Sequence, residues 1–394
     1  MRRIALLCLL PLCATTLACR QSASAEQAAA HGGSPAGSVR ADTTRPTVAE
    51  VLKAEGIVSV ADSVRADSAR RDSVARGLLV ERHDTLAATA ASPKPAAAAD
   101  TAGRDSASAA AKTAAKPAPK KRPWPTGPEP LPGAVLPGKR VIAFYGNPIT
   151  TKLGILGRVP PKQMLDSLEK IAQSWQRADT TRGVMPALHL IASVASAHPG
   201  KDGMYRNRMS DATIETVAKW AEERGWVMFV DLQVGQSDIA KELEWIKPWL
   251  ARPYMHLALD PEFAMYRKPE GRRVPGKYIG IMDAADVNKA SRVLAKMVDS
   301  LGLPPKMLVV HRFTDHMLTN ASKIELDPRV QVVIDMDGFG PPSLKRGTWK
   351  RVILREPVQW TGWKLFFNPR NDKPMMKPSE VLELDPQPVY IQYQ

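Results

Sequence analysis

The chain has 394 residues, a formal net charge of +15 and only three cysteines. All three lie in the first nineteen residues, which excludes disulfides, thiolate metal sites and cysteine nucleophiles from the rest of the chain. The charge is +6 up to Pro137 and +9 beyond it, without a basic arm or Arg-rich helix, so we expect no nucleic-acid partner.

Residues 1–18 are typical of a secretory signal. Two arginines precede an apolar run from Ile4 to Leu17, which is too short to span a bilayer. The run closes on Thr16-Leu17-Ala18-Cys19, which resembles the lipobox of bacterial lipoproteins. The resemblance implies lipidation of Cys19, a membrane partner through the lipid, and an extracytoplasmic location in the bacterial cell envelope. Ordinary cleavage near Ala18 is the alternative.

Residues 19–137 have the composition of a disordered tether. Ala, Ser, Asp, Arg, Pro and Thr dominate, and Trp124 is the only Phe, Tyr or Trp. Such a segment has too little apolar surface to offset the entropy of ordering. Repeated Asp-Ser pairs between Val48 and Val80 also allow a transient, partner-binding helix.

Residues 138–394 predict one α/β domain, a (β/α)8 TIM-like barrel, because apolar runs alternate with amphipathic segments. An open doubly wound sheet is the alternative, but no Gly-x-Gly-x-x-Gly or P-loop follows any strand, so we expect no cofactor. The predicted strands are Val141–Asn147, Ala187–Val194, Trp226–Gln233, Met255–Glu262, Met307–Phe313, Val330–Met336, Trp363–Asn368 and Val389–Tyr393.

Helices are predicted between these strands. Ser210, Ser237 and Asp283 are expected N-caps, and Gly302 with the following prolines is a stop signal. The predicted helices are Lys162–Arg177, Asp211–Arg224, a third ending at Trp249, Ala284–Leu301, His316–Ile324, Ser343–Val352 and Ser379–Leu384.

Function in such a barrel is expected at the C-terminal ends of the strands. Asp260 and Glu262 share one face of the fourth predicted strand, and two close carboxyl groups can divide the roles of acid and base. We therefore predict them as catalytic. His256, deeper in the same strand, is expected to be structural. The predicted substrate-binding residues are Tyr145, Asp231, His311, Asp335, Asp337 and Gln392.

The Asp260-Pro261-Glu262 segment resembles the Asp-x-Glu strand motif of family 25 muramidases and family 18 chitinases, both barrel enzymes. That resemblance implies Glu262 as proton donor and Asp260 as its partner. The domain as a whole resembles exported bacterial proteins without an assigned activity, in segments such as His311-Arg312-Phe313-Thr314-Asp315 and Asp335-Met336-Asp337-Gly338. This wider resemblance implies a barrel and no reaction.

The leading hypothesis is a monomeric, glycan-active hydrolase whose partner is cell-wall or another polysaccharide. Aromatic residues could stack on its sugars: Tyr145, Tyr205, Tyr266 and Trp360. A metal-dependent hydrolase is the second hypothesis, with ligands drawn from Asp231, Asp260, Glu262, His311 and Asp335. No His-x-His or His-Glu-x-x-His pattern is present, so no metal site is predicted. A non-catalytic carbohydrate-binding or scaffolding lipoprotein is the third.

Overall fold

Eight parallel strands close into a barrel in the computed structural model, which confirms the predicted fold class. The structure describes Trp124 and residues 127–394, so the signal peptide, Cys19 and nearly all of the tether lie outside the described residues. The first strand pairs with both the second and the eighth. We number the barrel strands β1 Lys139–Gly146, β2 Gly183–Ala195, β3 Val227–Leu232, β4 Met255–Leu259, β5 Lys306–Arg312, β6 Val330–Met336, β7 Trp360–Leu365 and β8 Tyr390–Tyr393.

Helices cover the outside of the barrel between successive strands. Ser210 and Asp283 cap α2 and α4 as predicted, and α4 ends at Gly302 in the left-handed conformation. The helices are α1 Pro161–Ala178, α2 Asp211–Glu223, α3 Ile239–Leu250, α4 Ala284–Leu301, α5 Pro342–Thr348 and α6 Pro378–Leu382, with a π-helical turn, Trp349–Ile353, after α5.

Two of the local helix predictions are wrong. The cap of α3 is Asp238 rather than Ser237, because the Asp238 carboxylate accepts from the Ala240 N–H at 2.6 Å. No helix spans His316–Ile324; two 3-10 turns there flank the strand Leu318–Thr319, which pairs with Met282–Asp283.

Several strand boundaries also differ from the prediction, among them those of β4 and β7. β4 ends at Leu259, because Asp260 caps a 3-10 turn, Pro261–Phe263, and proline has no N–H for a strand ladder. β7 begins at Trp360, three residues before the predicted start.

The barrel interior is apolar in its lower half, towards the N-terminal ends of the strands. Small and branched side chains, among them Ala143, Ala187, Val309 and Val333, pack there around Phe229. Leu136 lies buried against this cluster, and its backbone exchanges two hydrogen bonds with the Gln331 amide. Residues before β1 therefore help to close the lower end.

Trp124 also lies at this lower end, where its indole N–H donates to Gln359 O at 2.8 Å. A cavity of about 430 Å³ is lined there by Trp124 and Trp360, among others. Trp360 therefore lies away from the C-terminal strand ends, where function was predicted. Among the described residues, no helix is both long and apolar enough to cross a membrane.

Candidate functional site

The upper half of the barrel interior is polar, and every strand contributes to it. Side-chain alternation along the strands aims these residues inward above the apolar half. We call this set the polar chamber: Tyr145, His189, Asp231, Gln233, Asp260, His311, Asp335, Asp337, Lys364, Tyr390 and Gln392, none more than 8% exposed. It brings together all six predicted substrate-binding residues and the predicted catalytic Asp260.

His311 lies at the centre of the chamber. Its Nε2 is 3.4 Å from Asp231 Oδ2, and its Nδ1 is 3.4 Å from both Asp335 Oδ2 and Asp337 Oδ2. Burial alone would lower the pKa of His311, but the surrounding carboxylates raise it well above its ordinary value. Burial would likewise raise the pKa of Asp231, yet His311 and His189 hold it well below its ordinary value. At the centre, therefore, the His311 ring and the Asp231 carboxylate each favour the charged form of the other.

His189, on β2, is a chamber residue that the sequence did not single out. Its Nε2 is 3.4 Å from Asp231 Oδ2, while its Nδ1 is 2.6 Å from the Tyr390 hydroxyl. Gln392 lies against the same pair, 3.1 Å from Nδ1 and 3.0 Å from the hydroxyl. Burial lowers the pKa of His189 to about 4, so the ring is neutral at pH 7. Its partners come from β3 and β8, which no local pattern around His189 could reveal.

A hydrogen-bonded chain links Asp260 to β1 and β3. The Gln233 amide donates to Asp260 Oδ2 at 3.2 Å and to the Tyr145 hydroxyl at 3.3 Å. Burial, with Asp231 and Asp337 adding to it, raises the pKa of Asp260 to about 7. Asp260 is therefore a carboxyl group that exchanges its proton near neutral pH.

Glu262 lies beside the chamber on the 3-10 turn and not on the strand. The prediction that Asp260 and Glu262 share one face of a strand is therefore wrong. The turn nevertheless holds the two residues together, since Asp260 Oδ1 accepts from the Glu262 N–H at 3.1 Å. Gly280 N–H donates to Glu262 O at 2.6 Å, and a β-carbon on Gly280 would lie 2.4 Å from Pro261 O. Close backbone packing therefore fixes the position of Glu262.

Lys364 is a second residue that the sequence did not single out. Its ammonium lies 2.9 Å from Asp337 Oδ1 and 4.1 Å from the centre of the Tyr145 ring. This buried lysine interrupts an otherwise apolar strand, and that interruption is the signal that could have identified it.

A buried ion pair ties together the loops that follow β6 and β7. Lys345 Nζ is 2.6 Å from Asp372 Oδ2 and 2.6 Å from Lys364 O. Asp372 also accepts the N–H groups of Phe366 and Gly340. The pair therefore fixes both loops beside the chamber.

Half-buried aromatic rings lie on the loops at the C-terminal end of the barrel. Tyr205 has a left-handed backbone (φ 55°), which costs a non-glycine residue free energy. Hydrogen bonds hold it there, from Tyr205 N–H to Pro199 O and from Ser196 N–H to Tyr205 O. The rings come from four different loops and belong to Tyr205, Phe263, Phe313 and Phe339.

Two positions on β4 differ from the fuller chitinase pattern. His256 and Ala258 stand where that pattern has upstream acidic residues. His256 is 1% exposed, and its Nδ1 accepts from the Met307 N–H at 3.1 Å, which confirms its predicted position deep in the strand.

No protein-family model matches this chain, and no curated protein sequence is detectably similar to it. The case for a function therefore rests on the chamber itself.

Proposed function

We propose that this protein is a lipid-anchored, glycan-active hydrolase of the cell envelope, in which Asp260 and Glu262 supply acid–base chemistry at the end of β4. The observation that carries the proposal is the buried Asp260, whose pKa of about 7 lets it hold or release a proton at neutral pH. Glycosidic bond cleavage requires such a pair of carboxyl groups.

The roles follow from position and chemistry. Glu262 donates a proton to the leaving oxygen as the bond to the anomeric carbon breaks. A water molecule adds to that carbon, and its proton passes to the ionised Asp260 carboxylate. Asp260, held by Gln233 and by the Glu262 N–H, then passes a proton to Glu262, which restores both groups.

The surroundings of the pair support a sugar as substrate. Tyr145 and Gln233 offer hydroxyl and amide groups beside Asp260. The rings of Tyr205 and Phe339 are partly accessible on loops at the same end of the barrel, and apolar rings combined with a few placed polar groups are typical of small-ligand sites.

The position of Trp124 supports an orientation in which the C-terminal ends of the strands face a polymer. Trp124 packs at the lower end, opposite the chamber. A chain anchored at Cys19 would therefore join the domain on the side away from the active site, and the C-terminal end would face the envelope polysaccharide.

The test uses the full chain, purified in detergent, with peptidoglycan and a panel of polysaccharides, and measures new reducing ends. Glu262→Gln should lower the rate by at least about 100-fold, as expected for the loss of a general acid. Glu270→Gln is the matched control, because Glu270 lies exposed in the same loop.

Two results would overturn this proposal. One is full activity in the Glu262→Gln protein. The other is saturable glycan binding by the folded wild type without any bond cleavage, which would establish a carbohydrate-binding lipoprotein instead.

A further inference from the structure

The deepest polar atoms of the chamber have no hydrogen-bond partner among the described residues. They are His189 Nε2, both ring nitrogens of His311, and both carboxylate oxygens of Asp231 and of Asp335. All four side chains are fully buried. Leaving such groups unpaired costs several kcal/mol in general. The arrangement therefore favours a ligand that binds imidazole nitrogens and carboxylate oxygens at the same time.

Two distances at the centre match those between the ligands of one metal ion. Asp231 Oδ2 lies 3.4 Å from both His189 Nε2 and His311 Nε2, which is longer than a good N–H···O hydrogen bond. Two atoms bound about 2.1 Å from a tetrahedral ion are about 3.4 Å apart. Each of the three residues offers one ligand atom, and these three atoms all lie within 4.8 Å of one another.

The other nitrogen of each imidazole faces polar groups, through a hydrogen bond in His189 and through longer contacts with two carboxylates in His311. His189 Nδ1 contacts the Tyr390 hydroxyl at 2.6 Å, which leaves Nε2 free to bind when Nδ1 carries the proton. His311 Nδ1 faces Asp335 and Asp337 at 3.4 Å each. Histidine ligands in metalloproteins generally have such a partner, which fixes the tautomer and the ring orientation.

The charges of the chamber favour a cation. Asp231, Asp335 and Asp337 bring three carboxylates to it, and Lys364 forms an ion pair with Asp337. Within the described part of the chain, no lysine or arginine lies within ion-pair distance of Asp231 or Asp335. Among the described residues, these two buried carboxylates thus have only imidazoles within ion-pair distance.

We infer that His189 Nε2, Asp231 Oδ2 and His311 Nε2 bind one divalent transition-metal ion of the zinc class. Two imidazoles and one carboxylate are a donor set that zinc, cobalt, manganese and iron accept, whereas calcium and magnesium prefer oxygen alone. Three protein ligands leave further coordination positions for water or substrate. The site uses neither Asp260 nor Glu262, so it goes beyond the proposed glycan hydrolysis.

Cobalt is the most informative probe, because bound Co²⁺ has visible absorption bands that report its ligands. The full chain in detergent, freed of metal with a chelator, should take up about one Co²⁺ with a new visible spectrum, and Zn²⁺ should displace it. His189→Gln and His311→Gln should each abolish the spectrum or weaken binding at least about 100-fold. His316→Gln is the matched control, because His316 is an exposed histidine in the loop after β5.

A conservative variant keeps the test valid if a histidine variant fails to fold. Asp231→Asn preserves side-chain size and removes the charged oxygen ligand, and it should weaken Co²⁺ binding similarly. Binding that persists in folded Asp231→Asn, or no spectrum in a folded wild type, would overturn the inference. Because the readout is metal binding rather than activity, it stays separate from the glycan assay.

Discussion

The carboxylate of Asp335 fills the space that a side chain on Gly362 would need. A β-carbon on Gly362, on the neighbouring strand β7, would lie 2.6 Å from Asp335 Oδ1 and 3.0 Å from Tyr390 Cδ1. Asp335 is fully buried and faces His311 at 3.4 Å on its other oxygen, Oδ2. The missing side chain on β7 is thus what admits this carboxylate to the chamber.

Gly362→Ala should therefore destabilise the domain by about 1–3 kcal/mol, the usual cost of overpacking a core. Urea unfolding measures this. Gly183→Ala on β2 is the matched control: the nearest atom to its added β-carbon would be Lys139 Cγ at 3.5 Å, an ordinary contact. An equal loss of stability in both variants would contradict the steric explanation.

The stability of the domain should fall as the pH rises from about 4 to about 7, through Asp260. Burial raises the pKa of Asp260 from 3.8 to about 7, so in this window the folded protein holds a proton that the unfolded chain has released. Asp260→Asn removes this dependence. The free energy of unfolding of the variant should therefore rise relative to that of the wild type as the pH rises. A difference that stays constant between pH 4 and pH 7 would refute the assignment.

Lys345→Met should cost about 3–5 kcal/mol, because it leaves the Asp372 carboxylate buried without its cation. Both side chains of the pair are only 1% exposed. Adding Asp372→Asn to Lys345→Met should recover part of the loss, since no buried charge then remains. A double-mutant cycle by urea unfolding measures the interaction. Strictly additive effects would show that the pair is not coupled.

Because of Lys306, the free energy of unfolding of the domain should rise as the pH rises from about 8 to about 10.5. Its ammonium donates to Arg252 O and Met255 O in the lower barrel, and burial lowers its pKa from 10.5 to about 8. Above pH 8 the folded protein has released a proton that the unfolded chain still holds, so unfolding becomes harder.

The advantage of the wild type over Lys306→Met should accordingly grow across that window, as measured by denaturant unfolding at several pH values. Lys289→Met, on the exposed side of α4, is the control and should show no such trend relative to the wild type. A parallel response of the two variants would rule out Lys306 as the cause.

Seven of the eleven chamber residues could be predicted from the sequence, because they lie in or directly after apolar runs. Asp231, His311 and Asp335 each lie near the end of such a run, where a barrel places its functional residues. His189, Gln233, Lys364 and Tyr390 were not predicted, since their partners are distant in the chain. The contact between His189 and Tyr390 joins residues 201 positions apart.

The sequence by itself determined the order of the eight barrel strands and the helices α1 to α4 between them. Hydrophobic periodicity, caps such as Ser210 and Asp283, and the αL glycine Gly302 are local signals, and local signals act through neighbouring backbone. Only the tertiary structure decided which polar groups meet, because barrel closure sets β1 beside β8 and stacks the side chains of all eight strands. That closure is a sum of many long-range pairings, and it alone brings the nitrogens of His189 and His311 to the same oxygen of Asp231.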